Sequence, residues 1–306
     1  MDRMAELKAR VQGTLLENEP MSKHTSYGIG GPAWAYITPK DKNDLGNILH
    51  FATAADIQVH FVGSGSNLLV ADEGIDCIVL TLGKSFTQLE IQGNHVYAET
   101  GVMLGRMVKE CVKRNLSGLE SMIGVPGTVG GALIMNAGAF GGEISNCLQK
   151  VDVMTLSGEL KEYAVDEIDF SYRHSTFKDD EIIISADFEM LETSTAVIQE
   201  NRSKASQGRK DNQPLKFRSA GSVFKNPKPD VAAGYLIDQA GLKGTRSGNA
   251  EISEKHANFF INHGNANASD IVKLIRIARK AVQEKFDIML ELEIKTLGFS
   301  EDIFTP

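Results

Sequence analysis

The chain has 306 residues, 42% hydrophobic and 24% charged, an ordinary balance for a globular protein and enough length for two or three domains. Its 32 basic and 40 acidic side chains leave a formal charge of −8, which argues against nucleic acid as the main partner, because phosphate binding needs a basic face. No apolar run approaches the roughly 18 residues of a membrane span, the N-terminus has no signal-peptide core, and Cys77, Cys111 and Cys147 are scattered without metal spacing, so a reduced, cytoplasmic protein with no metal site and no membrane segment is expected.

Residues 2–16 place Met4, Leu7, Val11 and Leu15 at helical spacing and predict an amphipathic helix. A turn-rich segment, His24–Pro32, leads into a strand over Ala33–Ile37, and a helix over 41–55 turns Leu45, Ile48, Leu49 and Ala52 to one face. The short strand Val59–Val62 runs into Gly63-Ser64-Gly65-Ser66-Asn67, after which Leu68–Val70 and Cys77–Leu82 read as extended. A glycine loop at the C-terminal end of a strand is where α/β units bind ligands. This loop is neither the Gly-x-Gly-x-x-Gly fingerprint nor a Walker loop, and its small polar residues suit an anion nest or a plain turn.

Phe86–Gln92 and His95–Glu99 form a predicted hairpin around Gly93-Asn94. A helix over 103–115 directs Leu104, Met107, Val108, Cys111 and Val112 inward. The stretch from Gly118 to Gly142 then carries glycine at 118, 124, 127, 130, 131, 138, 141 and 142, with apolar residues between and almost no charge. A flexible linker would lack Ile123, Val125, Val129 and Leu133. A packed helix or strand would lose about 0.5–1 kcal/mol at each interior glycine. The reading is a buried, irregular backbone held close to an anion or a flat cofactor, with a ligand-free set of tight turns as the alternative.

Val151–Leu156 and Leu160–Ala164 predict a second hairpin, Phe170–Ser175 a loop, and Glu181–Met190 a buried strand. Residues 194–210 are helical and strongly polar and form the best linker, placing a domain boundary near 193. Beyond it come a helix over 231–240, a strand over Ala257–Asn262, a helix over Ser269–Lys285 with Ser269 as N-cap, and a final strand over Ile288–Leu297.

Six segments in order, Gly63–Asn67, Ile123–Ala132, Asn136–Gly141, Tyr172-Arg173, Gly221–Pro227 and Glu293–Lys295, resemble the UDP-N-acetylenolpyruvoylglucosamine reductases. These are flavoenzymes that complete UDP-N-acetylmuramate for bacterial peptidoglycan. The resemblance covers about 22–298, and the short interval from Arg173 to Ser222 is similar to the shorter subtype, without an inserted loop over the substrate. It implies an α+β protein: an N-terminal helix and lead-in segment (1–27), a two-lobed FAD-binding domain of the vanillyl-alcohol oxidase type (28–193, lobes about 28–84 and 85–193), and a smaller substrate domain (194–306).

It also implies FAD as cofactor and NADPH and a UDP-sugar as the small-molecule partners, with the oligomeric state open. FAD would be held by Gly63, Ser64, Gly65, Ser66, Asn67, Gly124, Val125, Pro126, Gly127, Thr128, Gly130, Gly131, Asn136, Ala137 and Gly138, noncovalently, since the first loop has no histidine. Arg173 matches an arginine whose planar fork suits a carboxylate. Glu293 matches a glutamate that donates a hydrogen bond when protonated. Ser222 matches the residue giving a proton to C2, and Lys225 and Asn226 match substrate contacts.

Taken alone, without the resemblance, Arg173 reads first as a surface ion-pair partner, Ser222 as a turn serine and Glu293 as a solvated strand residue. His174, His256 and His263 read as structural or as edging the substrate. Asn249 after Gly248, Arg218 and Leu292 depart from the family pattern. Another flavin oxidase of the same fold and a nonenzymatic flavin-binding protein stand as rival readings.

Overall fold

The computed structural model describes residues 2–306, Glu301 through its backbone alone. Two compact units form. Unit 1 comprises the chain up to Glu17, Ala35–Ser64 and Cys77–Gly208; unit 2 comprises Asn18–Trp34, Gly65–Asp76 and Arg209–Pro306.

Helix α1 (Arg3–Arg10) is N-capped by Asp2, whose carboxylate accepts the Met4 N–H at 3.0 Å. The helix expected over 2–16 stops there, and Leu15 lies in strand β1 (Thr14–Pro20). The buried carboxylate of Asp44 accounts for the break. It accepts the N–H groups of Gln12 (2.9 Å), Gly13 (2.8 Å) and Lys40 (2.8 Å), which draws the chain off its helical path. Strand β2 (Pro32–Thr38), helix α2 (Lys42–Ala54) and strands β3 (Val59–Phe61), β4 (Leu68–Val70) and β5 (Ile75–Leu80) follow. A four-stranded sheet runs β1-β2-β5-β3, with β3 and β5 parallel.

The hairpin of β6 (Leu89–Gln92) and β7 (His95–Glu99) closes on Gly93-Asn94 as expected, with Gln92 opposite His95. Helix α3 (Leu104–Lys113) buries all five residues of its predicted inner face. Strand β8 (Leu116–Ser117) precedes the glycine stretch, which holds helix α4 (Val129–Ile134) and the small hairpin of β9 (Gly138–Ala139) and β10 (Gly142–Glu143). Then come β11 (Leu148–Thr155), β12 (Leu160–Ala164), β13 (Phe170–Ser171), β14 (His174–Ser175), β15 (Glu181–Glu189) and β16 (Leu191–Glu192). An antiparallel sheet in the order β12-β11-β15-β7-β6 carries the core of unit 1, where Val96, Val151, Val153, Ala186 and Phe188 pack against α3 and α4. Polar helix α5 (Thr195–Asn212), the expected linker, belongs to unit 1 as far as Gly208; Ile198 is buried, and Asn201 Nδ2 donates to the Glu120 carboxylate at 3.0 Å.

Unit 2 contains helix α6 (Ala233–Gln239), strands β17 (Arg246–Ser247), β18 (Ala250–Ile252) and β19 (Phe260–Asn262), helix α7 (Ala268–Phe286) and strand β20 (Lys295–Leu297). Helix α7 starts at Ala268, one residue before the expected span, and its N-cap is Asn267, two residues before Ser269, in a reciprocal capping box with Asp270. The final strand is shorter than the alternation over 288–297 suggests. Only Lys295–Leu297 joins a ladder, parallel to β4, while Glu291–Glu293 makes single pairings with Val223, Phe224 and Lys225 instead. Among the described residues no helix is long and apolar enough to cross a membrane.

Candidate active site

Helix α4 corrects the picture of the glycine stretch as wholly irregular. Thr128 caps the helix, its hydroxyl accepting the Gly131 N–H at 3.3 Å. The N–H groups of Val129 and Gly130 donate to the carbonyls of Val102 (2.8 Å) and Thr100 (2.9 Å), and the Leu104 N–H donates to Gly127 (3.0 Å). A β-carbon on Gly130 would lie 1.8 Å from the Thr100 hydroxyl, so this glycine lets two backbones touch. The amides of 129–131 are thus spent within the fold and do not converge on an anion.

The stretch has a second face. Thr128, Val129 and Gly130 are buried, whereas Gly124, Pro126 and Gly131 are exposed, together with Met103 and Ile134. Gly124 and Gly127 adopt φ of +79° and +140°. The result is an open apolar strip with few side chains standing on it, a surface that suits a flat ring. Three buried polar atoms of unit 1, the hydroxyls of Ser64 and Ser85 and Asn136 Oδ1, have no hydrogen-bond partner. Ser85 lies outside the segments assigned to FAD from the resemblance, whereas Ser64 and Asn136 lie within them. Buried acceptors and hydroxyls are nearly always satisfied, so donors and acceptors supplied by a bound cofactor fit them. Beside them, Gly63 approaches Thr128 so closely that a β-carbon would fall 2.6 Å from its hydroxyl.

Phe170–Ser175 is a hairpin where a loop is expected. Phe170 pairs with Ser175 and Ser171 with His174, leaving Tyr172-Arg173 as the connection. Arg173 takes φ +57°, a conformation costing an L-residue with a β-carbon about 1–2 kcal/mol, and its guanidinium lies 4.9 Å from the centre of the Tyr172 ring. Phe170 and Phe177 pack edge to face at 6.1 Å. His174 is exposed.

In unit 2 the residues expected to act on substrate share one backbone network. Ser222 follows Gly221 (φ +76°) and bridges to Phe259. The Val223 N–H donates to the Asn258 carbonyl at 2.8 Å, and the Val223 carbonyl accepts the Glu293 N–H at 2.8 Å. The Glu293 carbonyl accepts from Asn67 Nδ2 at 2.9 Å, and the Asn67 carbonyl accepts the Lys295 N–H at 2.9 Å. Asn67 therefore stands as a brace on the Glu293 backbone. Lys225 pairs with the Glu291 carboxylate at 2.5 Å, and Asn226 Oδ1 accepts the Ala233 N–H at 3.1 Å ahead of α6. Gly65 (φ +63°) approaches the His24 carbonyl so closely that a β-carbon would lie 1.9 Å away.

One organising residue went unmarked in the sequence. Asn258, 3% exposed, accepts the Phe224 N–H at 2.9 Å and donates to the Phe224 carbonyl at 2.8 Å. The signal available was an amide inside the apolar run Ala257–Ile261. His256 supports it: Nδ1 accepts the Asn258 N–H at 3.2 Å, and burial lowers the tendency of this ring to protonate. His263 bonds Glu251 at 2.9 Å and packs on Phe217.

The departures from the family pattern have local accounts. Asn249 does not adopt positive φ, so its turn does not need a second glycine. Leu292 packs against the core of unit 2, and the Arg218 guanidinium lies over Gly28.

Residues 33–164 match the FAD binding domain family, and residues 213–297 match the UDP-N-acetylenolpyruvoylglucosamine reductase C-terminal domain. The chain is 40% identical to the UDP-N-acetylenolpyruvoylglucosamine reductase of Carboxydothermus hydrogenoformans over 96% of this chain and 97% of that protein. It is 41% identical to the protein of that name from Exiguobacterium sibiricum over 93% of each. The crystal structure of UDP-N-acetylenolpyruvylglucosamine reductase from Thermus caldophilus superposes with a TM-score of 0.80 at 35% identity, covering 94% of this chain and 99% of the other. Identity at this level along nearly the full length of both partners, through both matched domains, makes the chain a member of the UDP-N-acetylenolpyruvoylglucosamine reductase family.

Proposed function

We propose that this chain performs its family's reaction, the NADPH-driven, FAD-dependent reduction of the enolpyruvyl group of UDP-N-acetyl-3-O-(1-carboxyvinyl)-glucosamine to give UDP-N-acetylmuramate. The observation carrying the reading is the fixed neighbourhood of Ser222 and Glu293: the two residues flank one backbone hydrogen bond, Glu293 N–H to Val223 carbonyl at 2.8 Å, braced by Asn67. A serine and a glutamate carried on main-chain segments that are bonded to one another suit proton delivery and hydrogen bonding to a charge that develops during reaction.

FAD, when bound, would supply the redox chemistry that carries a hydride equivalent from NADPH to the enolpyruvyl group. Residues 63–67 and the open face of 124–138 would hold the cofactor. Arg173 receives the substrate carboxylate on its guanidinium fork. Protonated Glu293 donates a hydrogen bond toward the negative charge that builds as C3 is reduced. Ser222 delivers its hydroxyl proton to C2. Lys225 and Asn226 contact the nucleotide-sugar. Three buried cysteines without a disulfide suit a reducing cytoplasm.

The purified protein is expected to be yellow, to release free FAD on heat denaturation, and to oxidise NADPH continuously only when the enolpyruvyl sugar nucleotide is present. Rapid reoxidation by air alone would favour an oxidase, and protein that takes up no flavin on reconstitution would overturn the assignment.

A further inference from the structure

The end of helix α4 has the geometry of a Schellman cap. The Ala137 N–H reaches the Ala132 carbonyl at 2.7 Å, and the Asn136 N–H reaches the Leu133 carbonyl at 3.1 Å. Asn136 occupies the left-handed position of that cap, with φ +40°. Glycine is the usual residue there, with asparagine an occasional one. Here the residue is 0% exposed. Its Nδ2 donates to Glu143 Oε2 at 2.8 Å and to the Ser171 carbonyl at 3.2 Å. Both partners are acceptors only, so chemistry fixes which end of the amide faces them and turns Oδ1 the other way.

Ser171 ends the first arm of the hairpin that carries Arg173. The second arm is held at the same place: the Ser175 hydroxyl donates to the Ile134 carbonyl, the last of α4, at 2.8 Å. Both arms of a hairpin with only two pairs of bonded residues are thus tied to one helix end. Neither tie involves Tyr172 or Arg173. Beyond its two pairs the hairpin is extended by bonds from the Thr176 N–H to the Asp169 carbonyl at 3.1 Å and from the Asp169 N–H to the Thr176 hydroxyl at 2.9 Å, and Phe170 packs on the core of unit 1. A hairpin this small is marginal in water without such supports, and the two ties to α4 are the ones that flank its tip.

We propose that Asn136, with Ser175, is a positioning residue for Arg173: the buried amide orients the 170–175 hairpin so that the guanidinium is held for the substrate carboxylate. The proposal rests on Arg173 having that role. It assigns to Asn136 a duty apart from its expected contact with FAD, and it makes α4 a link between the cofactor segment and the arginine.

The discriminating variant is Asn136→Gly, which keeps the left-handed cap and removes only the side chain. Amide hydrogen exchange of the apoprotein, read over 168–177, is expected to speed up at least tenfold relative to wild type, with α3 and β15 unchanged. Ser175→Ala is expected to act on the same peptides. Unchanged exchange there would overturn the clamp without reference to catalysis. The second measurement is the rate at which the enolpyruvyl substrate reoxidises the flavin, taken per bound flavin in Asn136→Gly, Arg173→Ala and the double variant. A misplaced catalytic group costs up to about 10²-fold, so Asn136→Gly is expected to slow this step roughly ten- to a hundredfold. In the Arg173→Ala background the same change should add less than about twofold, since the group being positioned is gone. Multiplicative losses in the double variant would show that Asn136 acts elsewhere and overturn the proposal. Full activity in Arg173→Ala alone would sink the role assigned to Arg173, and positioning for catalysis with it, while the exchange result still decides whether the clamp exists.

Discussion

The two units hold their chemistry-bearing residues by different means. In unit 1, Arg173 sits at the tip of a minimal hairpin, in a left-handed conformation, and two side-chain bonds to the end of α4, from Asn136 of its cap and from the hairpin's own Ser175, tie the arms in place. In unit 2, Ser222 and Glu293 lie within a mainly main-chain ladder assembled from segments near 67, 223, 258 and 293, which the side chains of Asn67 and Asn258 brace. A side-chain clamp can be loosened one hydrogen bond at a time. A backbone ladder resists single substitutions, and what a side-chain change removes there is the chemistry of the group itself. Substitutions in unit 2 should therefore separate chemical roles cleanly, whereas those at the hairpin should act through geometry.

The largest expected effect follows from that contrast. Ser222→Ala leaves the Val223 bonds to Asn258 and Glu293 untouched, so folding should change by less than about 1 kcal/mol. A positioned general acid contributes roughly 10²–10⁴-fold. Anaerobic stopped-flow at the flavin band should show NADPH-driven bleaching near the wild-type rate and substrate-driven reoxidation slowed by about that factor. If both steps slow together, the serine acts through site geometry and the contrast between the units fails.

Glu293 should give the next effect. Its backbone is held from both sides, so Glu293→Ala and Glu293→Gln share the same main-chain support. The alanine variant is expected to lose about 10²–10³-fold in the substrate step, the usual cost of deleting one donor to a developing anion. The glutamine variant, which still donates, should retain at least ten times the alanine rate, by the same reasoning as an order of magnitude. Equal losses in steady-state turnover would mean that donation is not what the residue supplies.

Asn258→Ala attacks the ladder itself. Both backbone groups of Phe224 lose their partner in a buried place, at about 1–3 kcal/mol each. Denaturant titration should register that loss, and hydrogen exchange should place it at 222–225 and 258–262 while the sheet of unit 1 keeps its protection. Uniform loss across both units would show that the ladder is not a local construction.

What the sequence made legible divides along the same line. The helices over 42–54 and 104–113 and the hairpin at Gly93-Asn94 depend on local periodicity and turn chemistry, and they stand where expected. The helix predicted through Leu15 failed because Asp44, some thirty residues away, captures the amides of Gln12 and Gly13. The strand predicted from Ile288 is limited to Lys295–Leu297 because Glu291–Glu293 bonds to single residues near 223 rather than to a neighbouring strand. Arg173, Ser222 and Glu293 could be singled out through the order of short motifs, but neither clamp nor ladder could be read, since Asn136 and Asn258 act on partners 35 and 34 positions away. Periodicity carries no record of such pairings.

The smallest expected effect is a dependence of stability on pH that each unit carries separately. His60 in β3 and His256 ahead of β19 are both held below the ordinary histidine range, in each case chiefly by burial, with Lys243 adding repulsion at His256. For a base depressed in the folded state, the unfolded chain takes up the proton first. Stability is therefore full above the unfolded value of 6.5 and falls as pH drops below it, levelling off once the folded ring also protonates. Each histidine can contribute a slope of at most about 1.4 kcal/mol per pH unit in that window. The two differ in what protonation breaks: His256 Nδ1 accepts the Asn258 N–H, so its charging strikes the ladder that holds Phe224. Denaturant unfolding between about pH 5 and pH 8, with FAD at fixed excess, should show a shallower acid slope in His256→Gln, which keeps an acceptor but takes no proton. His60→Leu should flatten the part belonging to unit 1. Amide exchange at 222–225 should follow the His256 change and not the His60 change; the reverse pattern would mean that the ladder of unit 2 draws no support from its histidine.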